Sequence, residues 1–257
     1  MRRYVSLFVI LTVGFAVTKC DKIRNRPGHK YTYPQDQKLS NPNGDPIDSL
    51  TYFLPKELDY GDSTMETKLD SFKLNWYSSQ LYPSKEKILY NYYQGQSIYR
   101  FTWLRAFNEP VFIALYKKSG RVWLTLKKLD RQPDFMKIVY VDKPFPFRTD
   151  KSKTFKNSKM RQDSVVEPDR HANILINDTK ELTMADWNNF EKLLADCHYW
   201  NMTPCEIGLT GFDGSQWIIE ASSKDKYWVV DRWSPQDGFR ECGVYLIKLS
   251  GLKEEIY

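Results

Sequence analysis

Glu220, Asp231 and Arg232 fall within one short stretch that alternates like a β-hairpin, Gln216 to Ala221 and Tyr227 to Trp233, turning around Lys224-Asp225. A two-residue turn there pairs Ile219 with Val230 and Glu220 with Val229. Glu220 and Asp231 then share a face and sit diagonally, within reach of long side chains. Two neighbouring carboxylates can divide into an acid and a base, one with a raised pKa. A hydrolase of envelope glycan or polymer built on them needs both in one cleft, about 5–10 Å apart. The same pair also suits an ion-pair network with Arg100 or Arg105, and a slip of one residue in register would send the two to opposite faces. Of the two roles, a polar network holding the hairpin to its sheet is the favoured one.

Arg100 and Arg105 stand among Tyr99, Phe101 and Trp103. An arginine in such company grips a carboxylate or phosphate bidentately, or stacks on an aromatic face. With Arg232, Trp103 and Trp233 they form the candidate binding set, for a small anion or for a sugar ring or peptide laid on an aromatic platform. Stacking and core filling are the plainer roles. Metal binding has little support: the histidines are His29, His171 and His198, and Cys197-His198 with Cys205 lacks the paired C-x₂-C spacing of a zinc site. No G-x-S-x-G, H-E-x-x-H or P-loop pattern occurs, and no cofactor is expected.

The elements that must position these residues read as follows. Ile98 to Arg105, Val111 to Tyr116 and Arg121 to Lys127 form an antiparallel meander, with Lys117-Lys118-Ser119-Gly120 closing one hairpin and Val122, Leu124 and Leu126 on one face. Thr183 caps a helix with Asp186 as its capping-box partner, and Trp187, Phe190 and Leu194 share one side of it. That helix ends near Cys197. After the hairpin of Glu220 and Asp231, an apolar stretch from Phe239 to Leu249 reads as a buried helix ended by Gly251. Helices falling between antiparallel hairpins predict an α+β fold, one antiparallel sheet with two main helices packed on it. Residues 143–161, with Lys143, Arg148, Lys151, Lys153, Lys156, Lys159 and Arg161 against Asp150, read as a solvated loop.

The N-terminus departs from this body. Arg2 and Arg3 precede an uncharged run from Tyr4 to Val17, too short for a comfortable transmembrane helix and right for a signal peptide over residues 1–19. Cys20 follows directly, where a bacterial lipoprotein carries its lipid, although Lys19 fits the lipobox poorly. Residues 20–49, rich in Pro, Gly, Asn and Asp, read as a flexible tether between that anchor and a single domain over residues 50–257. The chain carries 38 basic and 32 acidic residues; without Arg2, Arg3 and Lys19 the excess falls to 3, which gives nucleic-acid binding no support. In an oxidising compartment Cys197, Cys205 and Cys242 leave one thiol over. Cys197 and Cys205 bracket a turn over Asn201 to Pro204 and are the first choice for a disulfide, the alternative being three buried thiols.

Three blocks are familiar in combination: Tyr99-Arg100-Phe101-Thr102-Trp103-Leu104-Arg105, Leu182-Thr183-Met184-Ala185-Asp186-Trp187, and Asp213-Gly214-Ser215-Gln216-Trp217-Ile218-Ile219-Glu220 with Trp228-Val229-Val230-Asp231-Arg232-Trp233-Ser234-Pro235. Over residues 72–252 the chain resembles a family of uncharacterised bacterial proteins, often predicted to be exported or lipid-anchored. The resemblance implies a body plan and no known activity. Trp228 stands where that family usually has histidine, which weakens any imidazole-based mechanism. The leading expectation is therefore an exported, lipid-anchored protein of the periplasm or cell surface, leaning away from catalysis, that binds an envelope protein or glycan or stabilises an assembly. A hydrolase using Glu220 and Asp231, and a small anionic-ligand module using Arg100 or Arg105, are the alternatives.

Overall fold

The computed structural model describes residues 30–61, 63–133, 137–143, 161–167, 170–206 and 213–256. The expected signal peptide and Cys20 lie outside these residues, as does the basic run between Lys143 and Arg161.

In chain order the elements are β1 (Glu57–Asp59), β2 (Thr64–Glu66), α1 (Ser71–Leu81), β3 (Ser97–Arg105), β4 (Val111–Lys118), β5 (Arg121–Leu129), β6 (Lys137–Lys143), β7 (Arg161–Glu167), β8 (Ile174–Leu182), α2 (Met184–Asp196), β9 (Ser215–Ser223), β10 (Lys226–Trp233) and α3 (Gly238–Ser250). β1 pairs with β2, and β6 with β7, as separate two-stranded ribbons. The remaining six strands form one antiparallel sheet in the order β10-β9-β3-β4-β5-β8. The α+β reading holds, and so does the meander at its centre.

The period of two along each strand divides the sheet into two buried faces. One carries Tyr99, Phe101, Trp103, Val122, Leu124, Leu126, Trp217 and Ile219, all buried. α2 and α3 cover it. The Tyr99 ring lies 4.9 Å from that of Trp187 and 5.1 Å from that of Phe190 on α2. α3 comes down onto Trp217 so closely that a Cβ on Gly243 would stand 2.4 Å from the indole, which is why glycine occupies that turn. The capping box closes as expected: Thr183 Oγ1 accepts the Asp186 amide at 3.2 Å, and the Asp186 carboxylate accepts the Thr183 amide at 2.9 Å. Gly251 ends α3 at φ +80°.

The opposite face is covered by α1 and by chain that the sequence reading left unstructured. The tether expected over residues 20–49 is corrected over its described part. Tyr31 and Tyr33 are buried, the Tyr31 amide donates to Asp225 O at 2.9 Å, and the Tyr33 hydroxyl meets Ser222 Oγ at 2.9 Å and Ser223 O at 2.6 Å. Buried Asn91 ties the same segment, donating to Asp36 O and Ser40 Oγ at 2.8 Å each and accepting the Asp36 amide at 2.9 Å. Polarity misled because these residues spend their polar groups on the body rather than on water.

α1 was also unforeseen. Its buried side presents Ser78, Ser79 and Gln80 beside Leu74, Tyr77 and Leu81, so no apolar period marks it. Ser78 is not wasted there: its hydroxyl accepts the Phe53 amide at 3.0 Å. The two sheet edges are managed differently. β8 is exposed and charged, with Asp178, Lys180 and Glu181. β10 is sealed by the loop ahead of β9, where Asp231 donates its amide to Pro204 O at 2.7 Å and bridges Cys205.

Candidate functional site

β9 and β10 pair in the expected register, Glu220 opposite Val229 and Ile219 opposite Val230. Glu220 and Asp231 therefore share the face that α1 covers. What the register alone could not supply is the third strand. β3 lies on the other side of β9 with Arg100 directly opposite Glu220. Arg100 Nε donates to Glu220 Oε2 at 2.7 Å, and its Nη2 binds the same oxygen. Nη1 donates to Lys87 O at 2.6 Å and lies 3.4 Å from Glu86 Oε2. The Tyr227 hydroxyl donates to Glu220 Oε1 at 2.9 Å, and Lys127 Nζ pairs with Glu86 at 2.9 Å.

A chain of alternating charge thus runs Glu220, Arg100, Glu86, Lys127 across three strands and the segment after α1. Glu220 is wholly buried. Burial pushes its carboxyl pKa up, against the pull of Arg100 and Tyr227. For Arg100, burial works against the charge, but Glu220 and Glu86 outweigh it and hold the guanidinium above its usual value. Arginine keeps its proton in any such contest, so the guanidinium stays charged beside Glu220.

Asp231 sits in a second, separate network. Its Oδ2 receives Lys73 Nζ at 2.8 Å and the Tyr77 hydroxyl at 3.1 Å, both from α1, and its Oδ1 binds the Gln216 amide. Cys205 completes the group, 3.2 Å from Lys73 Nζ and 3.5 Å from Asp231 Oδ2. Burial and then the Asp231 charge push the Cys205 thiol up, so it is held as a thiol and not as a nucleophilic thiolate. The expected pairing of Cys197 with Cys205 is corrected: Cys197, at the end of α2, has its Sγ 3.8 Å from that of Cys242 on α3, while Cys205 lies beside β10 and α1.

The candidate binding residues are engaged inside the protein as well. The Arg105 guanidinium lies 4.2 Å from the Trp103 ring, donates to Glu109 O at 2.9 Å and pairs with Glu254. Trp103 is fully buried, and Trp233 is half-buried at the end of β10. Arg232 donates to Asp231 O at 2.8 Å and Thr203 O at 2.9 Å, and its Nε lies 3.1 Å from Glu206, so it staples the 203–206 loop to the sheet edge. Lys73, Tyr77, Glu86 and Tyr227, which complete these networks, were not foreseen. Tyr227 was the accessible cue, two positions before the residue opposite Glu220.

Two surface clefts lie elsewhere. One, of about 330 Å³, is walled by Tyr99, Glu191, Trp200, Ser222 and Lys226; another, of about 540 Å³, by Tyr82, Lys85, Arg131, Arg170 and His171 among others. Neither is lined by Glu220 or Asp231. Among the described residues no group of three or more His, Cys, Asp or Glu is arranged to hold a metal ion, and no helix is long and apolar enough to cross a membrane. Compared with known proteins, the chain matches no family model, no curated protein and no solved structure.

Proposed function

We propose that this chain is an exported binding protein of the cell envelope, anchored through Cys20, whose domain recognises an envelope protein or glycan and does no chemistry of its own on Glu220 or Asp231. The observation that carries the reading is the closure of both carboxylates. Glu220 is spent on Arg100 and Tyr227, Asp231 on Lys73, Tyr77 and Gln216, and neither lines the clefts of about 330 and 540 Å³. A general acid or base must come within hydrogen-bond reach of its substrate, about 2.6–3.2 Å, and these two are buried with their oxygens turned to internal partners. Ion pairs of this kind serve to fix how strands and helices dock rather than to react.

The location half of the proposal draws support from the basic, apolar leader, the cysteine at its end, and the resemblance to exported bacterial proteins. One fractionation experiment tests both halves. The full-length chain and its Cys20→Ser variant are expressed in a bacterium and separated into membrane and soluble fractions. The purified mature protein is then mixed with peptidoglycan sacculi and with washed envelopes. The expected outcome is a membrane-bound parent, a released variant, and saturable co-sedimentation with one of the two envelope preparations. Release of soluble glycan fragments by the purified protein would overturn the non-catalytic reading. Membrane retention of the Cys20→Ser variant would overturn the anchor.

A further inference from the structure

Arg170 is 5% exposed, yet its guanidinium is poorly partnered. Nη1 makes one long contact, 3.4 Å to Thr51 O, and among the described residues Nε and Nη2 have no hydrogen-bond acceptor. Asp48 is an opposing charge to Arg170, but no ion pair within 4.0 Å joins the two among the described residues, and its Oδ1 accepts from Leu50, Thr51 and the Thr51 hydroxyl. Burial without such a partner lowers the Arg170 pKa from its usual value. Buried guanidinium donors are ordinarily satisfied, because leaving them dry and unpaired is costly.

The same side chain lines the 540 Å³ cleft. Lys85 stands on its rim, exposed and held at φ +55° after α1. Arg131 is locked on another wall, with Nε and Nη2 both donating to His171 O at 3.1 and 2.9 Å. The two acids on the wall are already committed, Asp45 to Lys87 and Glu86 to Lys127 and Arg100. Among the described residues the cleft wall therefore carries three cations that its own acids do not pair, one of them a buried arginine with two donors that no described residue accepts. Its apolar lining comes from Pro46, Tyr82, Pro83 and Ala172.

We infer that this cleft binds a small organic anion, its carboxylate or phosphate gripped by Arg170, Arg131 and Lys85 and its body laid against Tyr82, Pro46 and Pro83. Guanidinium donors in a fixed fork suit the paired oxygens that carboxylate and phosphate share. The volume exceeds what a bare ion fills and falls in the range of small-molecule sites, roughly 300–1,000 Å³. This anion site is not the one expected at Arg100 or Arg105, which are held by Glu220 and Glu86 and by Glu254. It goes beyond the envelope-binding reading and fails separately from it: loss of sacculus binding leaves the cleft untouched, and the reverse.

The test is ligand-dependent melting of the mature protein with inorganic phosphate, phenyl phosphate and benzoate, against sodium chloride at matched ionic strength. A ligand that binds only the folded state raises Tm in a saturable way. Phenyl phosphate or benzoate should do so, and whichever of the two binds tighter identifies the head group. Arg170→Met should weaken that binding at least about tenfold, since a charge-assisted bidentate contact is lost. It should melt no lower than the parent without ligand, because an unsatisfied buried charge has been removed. Lys85→Ala, at an exposed side chain, should weaken binding several-fold with an unchanged ligand-free Tm, and it keeps the test decisive if Arg170→Met folds badly. The inference is overturned if none of the three anions exceeds the chloride control, or if both variants bind as the parent does.

Discussion

Arg100 and Glu220 face each other across β3 and β9, 120 residues apart in the chain, and neither has water to fall back on. A buried ion pair of this kind contributes little over a well-packed apolar pair, but losing one member strands the other. Glu220→Gln should therefore cost about 3 kcal/mol, the lower end of the usual range, because Glu86 still stands 3.4 Å from Arg100. Combining Arg100→Met with Glu220→Leu should recover most of that loss. Urea denaturation of the two variants measures both effects. A cost below about 1 kcal/mol for Glu220→Gln would mean that the network is slack and that Glu220 is free for another task.

At the scale of the element, the start of α2 joins sequence to stability most directly. Thr183 and Asp186 satisfy each other's backbone amides, and hydrogen bonds from Thr183 hold the Asp186 carboxyl below its usual pKa. A carboxyl whose pKa is depressed on folding contributes stability that is present above its unfolded value, about 3.9, and is lost as pH falls through the folded value. Thr183→Ala should cost about 1 kcal/mol near neutrality. The gap between variant and parent should narrow below about pH 4, as Asp186 becomes protonated in both. Denaturation midpoints across that range check the sign; a gap that widens in acid would show that the cap does not depend on the carboxylate. α1 is the counter-case, since its buried Ser78 and Gln80 are explained only by what they meet in other segments.

For the molecule as a whole, the sheet is a layer between two unlike covers. α2 and α3 supply one as regular helices, and the other is α1 with residues 31–95, largely irregular and fastened by Tyr31, Tyr33 and Asn91. A chain beginning at residue 50 should therefore lose the Tyr31 and Tyr33 contacts over β10 and β9 and melt well below one beginning at residue 30. Side-by-side calorimetry of the two chains decides it, and equal melting temperatures would restore residues 30–49 to the role of tether. The same layering explains why the candidate carboxylates are closed: Asp231 lies under α1, and Glu220 under the segment that carries Glu86.

The chain's own order was enough for every feature whose cause lies within a few residues. The meander, the hairpin register that puts Glu220 and Asp231 on one face, the capping box at Thr183 and the glycine end of α3 depend on side-chain period, turn length and local backbone preference. Only the tertiary structure decided which faces meet. Docking β3 against β9 made Arg100 the partner of Glu220; folding residues 30–49 back over the sheet turned an apparent tether into a cover; packing α3 on α2 set Cys242 beside Cys197; and bringing Arg131 and Lys85 to Arg170 made a cationic cleft. Those pairings join residues tens to more than a hundred positions apart. No local period records them, because they are chosen by the burial and charge balance of the whole assembly.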